Sequence, residues 1–304
     1  MRILVIGATG VLGRPVVRRL LAQGAEVRAL TRSPDRAADL AQLGAEVVAG
    51  DLVDKGSLER ACSGVDRVLA TAHSLLGRGR YRSERVDDAG HRALIDAARA
   101  ARVGRFVYIS ANAAAPDHPI DFLRTKFAIE EHLQRSGIPH VILRPTAFME
   151  QHVHEFNGKS VLRTGRARLV GPGTKVRNFV AAEDVAQFAV RALVSERTPT
   201  PPLDIGGPGN HSNLEVAQLY AKLAGIELRV SHLPPLVARV GAAVAEPFHP
   251  GLARLLKVLA LPDDAPSEVF DCTALQLAHP EIQLTALETF VRARIAEAGV
   301  RSSV

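Results

Sequence analysis

The stretch Arg2-Ile3-Leu4-Val5-Ile6-Gly7-Ala8-Thr9-Gly10-Val11-Leu12-Gly13-Arg14-Pro15 decides the fold. Ile3 to Ile6 is an unbroken apolar run of strand length, the pattern of a strand covered on both faces. Glycines at G-x-x-G-x-x-G spacing follow it, and an apolar helical pattern runs from Pro15 to Leu21. Strand, glycine turn and helix start in that order aim backbone N–H groups and the positive end of a helix dipole at one point. Such a point suits a pyrophosphate. The glycines let the turn close, let phosphates approach the backbone, and let the helix pack on the strand. Gly7, Thr9, Gly10, Val11, Leu12 and Gly13 are therefore the candidate contacts of a dinucleotide.

Outward from this loop, strand-like runs recur at Glu26 to Leu30, Ala45 to Ala49, Arg67 to Ala70, Arg105 to Ile109 and His140 to Leu143. Between them lie stretches with apolar residues at helical spacing. The alternation predicts an α/β fold, a doubly wound Rossmann parallel sheet. Gly24, Gly44, Gly64, Gly104 and Gly137 fall just past the expected helix ends, where a left-handed cap is wanted. Beyond Pro145 the pattern loosens, and a smaller C-terminal α+β substrate region is expected. The expected division is a nucleotide-binding domain over 1–150, rejoined by a helical segment at 178–195, and a substrate region from 151–177 and 203–300. Asn213 is the expected cap of a helix from Leu214 to Leu223, and Glu227 to Val230 an expected strand.

The strand tips locate the rest of the cofactor site. An acid at the end of the second strand selects NAD, and an arginine accommodates the 2′-phosphate of NADP. Here that end reads Leu30-Thr31-Arg32-Ser33, with no acid, so Arg32 favours NADP while NAD stays possible. Asp51 and Leu52 end the third strand, placed to accept the adenine amino group and to cover its ring. Ala72, in Ala70-Thr71-Ala72-His73, offers a small residue where backbone meets the ribose.

Composition limits the partners. The 304 residues are 47% hydrophobic and 23% charged, within the range of ordinary globular proteins. Net charge is +6, yet the basic residues are dispersed, tryptophan is absent and no nucleic-acid motif stands out, so nucleic acid is not the expected partner. Two cysteines without a C-x-x-C pattern suit a reducing compartment, with cytoplasm the default. No apolar run approaches the ~20 residues of a spanning helix, so no membrane role is expected. His152-Val153-His154 lacks a third ligand at a fixed spacing, so no metal site is expected. The segment Phe148 to Phe156 is an expected pocket wall. Leu236 to Leu261 is expected as core or lid, and the arginines of Arg78-Gly79-Arg80-Tyr81-Arg82 as a mobile anion clamp or solvated surface.

With these motifs in order, the chain resembles the atypical short-chain dehydrogenase/reductases, the NmrA-like and isoflavone-reductase-like NAD(P)-binding proteins. The likeness rests on Gly7 to Gly13, Thr31-Arg32, Gly50-Asp51-Leu52, Arg105 to Ser110, Leu143-Arg144-Pro145-Thr146 and Phe179 to Ala186. It implies Ser110 at the catalytic-serine position and Pro145 and Thr146 near the nicotinamide. One departure matters. The superfamily's Tyr-x-x-x-Lys places a phenol one helical turn before a lysine, and the lysine lowers the phenol pKa for proton transfer. The corresponding window here is Phe122-Leu123-Arg124-Thr125-Lys126, so the lysine stands without the tyrosine.

Three readings follow. Lys126 both holds the ribose and acts as acid or base, supporting reduction of a small carbonyl, quinone or enone. Alternatively the chain binds NADP(H) without consuming it and reports redox state to a protein partner. In the third, Tyr108, Tyr81 or His118 replaces the missing phenol. A monomer or homodimer suits any of them.

Overall fold

The structure is a computed structural model that describes residues 1–195, 201–259 and 268–299. Its first strands are β1 (Arg2–Ile6), β2 (Glu26–Thr31), β3 (Glu46–Ala49), β4 (Arg67–Ala70), β5 (Arg105–Ile109) and β6 (His140–Pro145). They stand in the order β3-β2-β1-β4-β5-β6, with Leu203–Ile205 as a seventh strand beyond β6. Every pairing from β3 through β6 is parallel. The order reverses between β1 and β4, and ligands of open parallel sheets bind at the carboxyl ends of the strands there.

Helices α1 (Gly13–Ala22), α2 (Ala38–Gln42), α3 (Lys55–Cys62), α4 (His91–Ala100) and α5 (Asp121–Arg135) form the crossovers. Parallel strands need cover on both faces, and all five residues of β5 are buried. One core cluster joins Leu4, Val68 and Phe106 of the sheet to Leu94 and Ile95 of α4 and Ile129 and Leu133 of α5. Four of the five expected glycine caps have positive φ: Gly24 at 77°, Gly44 at 100°, Gly64 at 69° and Gly137 at 76°. The exception follows α4, where Arg102 at φ 56° turns the chain and Gly104 keeps ordinary backbone.

The chain divides into two compact units, one comprising Met1–Pro145, Val185–Asp204 and His249–Gly251, the other Thr146–Asp184, Ile205–Phe248 and Leu252–Val304. The segment expected to rejoin the first unit at 178 does so only from Val185. Its beginning is a strand, Val176–Val180, paired antiparallel with Asn210–Ser212 and parallel with Ala147–Phe148. Buried Asn178 belongs to that sheet, and its amide donates to Gly207 and Gly209 carbonyls and accepts from Gly207 N–H. The helix starts later, at Ala182.

In the second unit, Ser212 rather than Asn213 caps the helix Asn213–Ala224, in a capping box with Glu215. The strand expected at Glu227 to Val230 runs instead over Arg229–Leu233. Phe148 to Phe156 is mostly a π-helical segment, Met149–Gly158, so His152 and His154 belong to a helical turn and not to a strand. His154 Nδ1 lies 3.0 Å from the Tyr220 hydroxyl. The segment from Leu236 is not core at its start: Leu236, Val240 and Val244 are more than half exposed, while Ala238 and Ala242 are buried. Its last two residues lie outside the described residues.

Candidate cofactor and active site

The glycine loop of the first unit is built by the absence of side chains. Gly7 sits at φ 83°, and a Cβ there would come within 2.8 Å of both Ala72 N and Thr71 Oγ1. A Cβ on Gly13 would overlap the Gly7 carbonyl oxygen and lie 2.7 Å from Ala8 Cα. Gly10 N–H donates to Gly7 C=O at 2.9 Å, closing the turn. Leu12, at the N-cap of α1, gives no side-chain cap, and the first turn carries no acid. The N–H groups and positive dipole of α1 are thus left for an external anion. Within the loop, Ala8 and Leu12 are buried and Val11 is half exposed. The loop fits a pyrophosphate.

A second cluster forms beyond the tip of β2. Exposed Arg32 stacks its guanidinium 4.6 Å from the Tyr81 ring centroid, and Arg80 lies 5.0 Å from the same centroid. Arg80 also approaches Asp51 Oδ2 at 3.7 Å, while Asp51 Oδ1 accepts the Val53 N–H at 3.2 Å. Tyr81 is therefore occupied by two arginines at this end of the sheet. Leu52 is 6% exposed and packs within the core cluster, with its carbonyl turned toward Gly90.

The third cluster surrounds α5. Lys126 is 4% exposed, and its ammonium donates to the Ile109 carbonyl at 2.8 Å, 4.8 Å from the Tyr108 ring and 5.5 Å from the Phe122 ring. Burial lowers its pKa to about 8, against the opposing charges of Asp87 and Glu130. Ser110, next to Ile109, donates its hydroxyl to Glu130 Oε1. Glu130 is one turn after Lys126, buried, and held by a two-pronged ion pair with Arg144 of β6, Nε to Oε1 at 2.9 Å. Asp87 is buried too, accepting from Ser74 N–H at 2.8 Å and from the Ser83 hydroxyl. Lys126 and Arg144 thus face Asp87 and Glu130, two cations against two buried acids, the balance that buried charge requires.

These acids were not visible as site residues in the sequence. Asp87 precedes Asp88 in a polar stretch, and only the π-helical segment Glu84–Gly90 turns it inward. Glu130 is followed by Glu131, and a surface pair is the ordinary meaning of such a run. Its spacing of four from Lys126 is the one available signal.

The proposed substitutes for the phenol separate. Tyr108 is 1% exposed, and burial raises its pKa well above the phenol range. Among the described residues neither its hydroxyl nor Nε2 of buried His91 has a hydrogen-bond partner. Tyr81 belongs to the arginine cluster. His118 accepts Ile120 N–H on Nδ1 at 3.1 Å, within its own loop. Pro145 ends β6 and its carbonyl accepts Asn112 N–H at 2.9 Å; Thr146 opens the second unit, its hydroxyl 2.9 Å from Asn178 Oδ1. Among the described residues no group of three His, Cys, Asp or Glu is arranged to hold a metal ion, and no helix is long and apolar enough to cross a membrane.

Residues 7–196 match the family described as NAD(P)H-binding. The chain is 30% identical over 234 residues to the photosystem II assembly factor Ycf39 of Guillardia theta, covering 77% of this chain and 74% of that protein. It is also 30% identical over 233 residues to an NAD(P)H azoreductase of Xenophilus azovorans, covering 75% of each. Among solved structures, the NADPH-dependent quinone oxidoreductase QOR2 of Escherichia coli, complexed with NADPH, superposes with a TM-score of 0.78 at 24% identity, over 97% of this chain and 100% of that one. The chain therefore belongs to the NAD(P)H-binding family, with a Rossmann fold.

Proposed function

We propose that the chain is an NADPH-dependent reductase of a small carbonyl, quinone or enone. The observation that carries this reading is Lys126: a buried ammonium fixed at the end of β5, beside a balanced set of acids. When bound, NADPH supplies the hydride. The glycine loop holds its pyrophosphate through backbone N–H groups. Arg32, braced on Tyr81, receives the 2′-phosphate; Asp51 and Leu52 meet the adenine, and Ala72 the ribose. Lys126 holds the nicotinamide ribose, with Pro145 and Thr146 near the ring. Its charge, little screened at this depth, stabilises negative charge developing on the acceptor oxygen. Ser110 acts as a positioning residue, since its hydroxyl proton is directed to Glu130.

The test is NADPH oxidation across a panel of quinones and enones. Lys126→Ala should lower kcat/KM by about 100-fold or more. With the Lys126 pKa lowered to about 8, the active ammonium form is lost, and the rate falls, as pH rises through that value. Oxidation indifferent to Lys126→Ala would remove lysine from the mechanism.

A second reading has its own support in the likeness to Ycf39 and in Phe122 at the phenol's position. In it, the chain binds NADP(H) without turnover and acts through a protein partner. No oxidation of any panel member, together with a partner recovered in one cofactor redox state only, would favour it.

A further inference from the structure

Phe122 cannot donate a proton, and Lys126 is a poor source of one because it is buried and directed to the Ile109 carbonyl. A titratable ring nonetheless packs against Phe122. His73, three residues beyond the end of β4, meets the Phe122 ring edge-on, with centroids 6.1 Å apart and planes at 71°. It remains exposed, unlike Tyr108 and His91, which are sealed in the core. Its Nδ1 accepts the Leu75 N–H at 3.5 Å, which leaves Nε2 as the nitrogen available to an external group. The carboxyl end of β4, beside the reversal in strand order, is where ligands of such sheets bind.

We propose that His73 donates the proton that the missing tyrosine would have supplied. The inference rests on the reductase reading. In the step proposed, hydride from NADPH adds to the electrophilic atom of the acceptor and NADP⁺ is left. The Nε2–H bond of the imidazolium breaks as an O–H bond forms at the acceptor oxygen, and solvent returns a proton to the ring. Acceptor plus hydride plus proton gives the neutral reduced product. Desolvation by the surrounding protein disfavours protonation of His73 most, the Lys126 ammonium of α5 adds to this, and the buried Asp87 carboxylate opposes both. Lys126 is then the fixed charge of the site and His73 its exchangeable proton.

The experiment compares wild type with His73→Asn and His73→Phe on the best acceptor of the quinone and enone panel. Both variants should lose about 100-fold in kcat/KM. NADPH affinity by calorimetry should be unchanged. The wild-type rate should fall in two steps as pH rises, and His73→Asn should lack the step that belongs to imidazole while keeping the one near 8 from Lys126. Proton-coupled NMR of the histidine rings gives a readout independent of turnover: the signal lost in His73→Asn should titrate at higher pH in Lys126→Met, where the opposing cation is gone. Crystal violet, a carbocation, needs hydride but no proton, so loss confined to proton-requiring acceptors supports donation. Wild-type oxidation with an unchanged pH profile in His73→Asn overturns the donor assignment and leaves the reductase reading intact. Absence of oxidation by the wild type overturns both.

Discussion

The glycine loop and the α5 cluster perform opposite physical tasks within one sheet. In the loop every essential property is a missing atom: Gly7 and Gly13 stand where a Cβ would strike backbone, and α1 begins without a side-chain cap. Around α5 every essential property is a side chain: Lys126, Glu130 and Asp87 are buried, and partly buried Arg144 completes the balance of charge. Backbone N–H groups bind an anion without regard to what is done with it. The side chains decide the chemistry. A fold built this way keeps its cofactor site when a catalytic group such as the tyrosine is absent, because neither region depends on the other for its own geometry.

That separation can be broken from either side. The largest effect is expected at Gly13→Val, where a branched side chain replaces space already filled by Gly7 O and Ala8. NADPH affinity by calorimetry should fall by about 100-fold or more, because the α1 N-terminus must shift away from the turn. Normal affinity would mean that the loop is not the anion cradle.

Next in size is Arg144→Leu, which leaves Glu130 buried with the Ser110 hydroxyl but without its cation. Removing one partner of a buried ion pair costs about 3 kcal/mol, measurable by urea denaturation. The double change Arg144→Leu with Glu130→Leu should recover part of that loss. A double variant no more stable than the single one would show that the two charges are not coupled.

The two regions also differ in how far they can be read from sequence. The loop is a local device: strand, turn and helix start are adjacent in the chain, so spacing alone discloses Gly7, Gly10 and Gly13. The parallel sheet follows from similar local evidence, repeated at β1 to β6. The α5 cluster is assembled through space, from a helix, two strands and the π-helical segment Glu84–Gly90. Lys126 was legible from its distance to Phe122, but Asp87 and Glu130 look like surface acids until their burial is known. Asn178 shows the same effect in the second unit: its polar side chain and the acids after it suggested a helix start, whereas pairing with Asn210–Ser212 makes it a strand residue. Long-range pairing overrode the local signal.

The smallest effect is expected where the two tasks meet, at Arg32. Like the loop it binds the cofactor, and like the α5 cluster it does so with a charged side chain, but it is exposed. Tyr81 supports its guanidinium at 4.6 Å, which lowers the entropy lost in fixing it without removing it from water. A phosphate contact in that setting is worth less than a buried one and is screened by salt. Arg32→Ala should therefore weaken NADPH by about tenfold at low salt, equivalent to about 1.4 kcal/mol, and leave NADH unchanged. Raising the salt should narrow the wild-type preference toward that of the variant. Equal affinities of wild type for NADPH and NADH, unaltered by Arg32→Ala, would move the 2′-phosphate contact elsewhere, with Arg80 on the same ring the next residue to change.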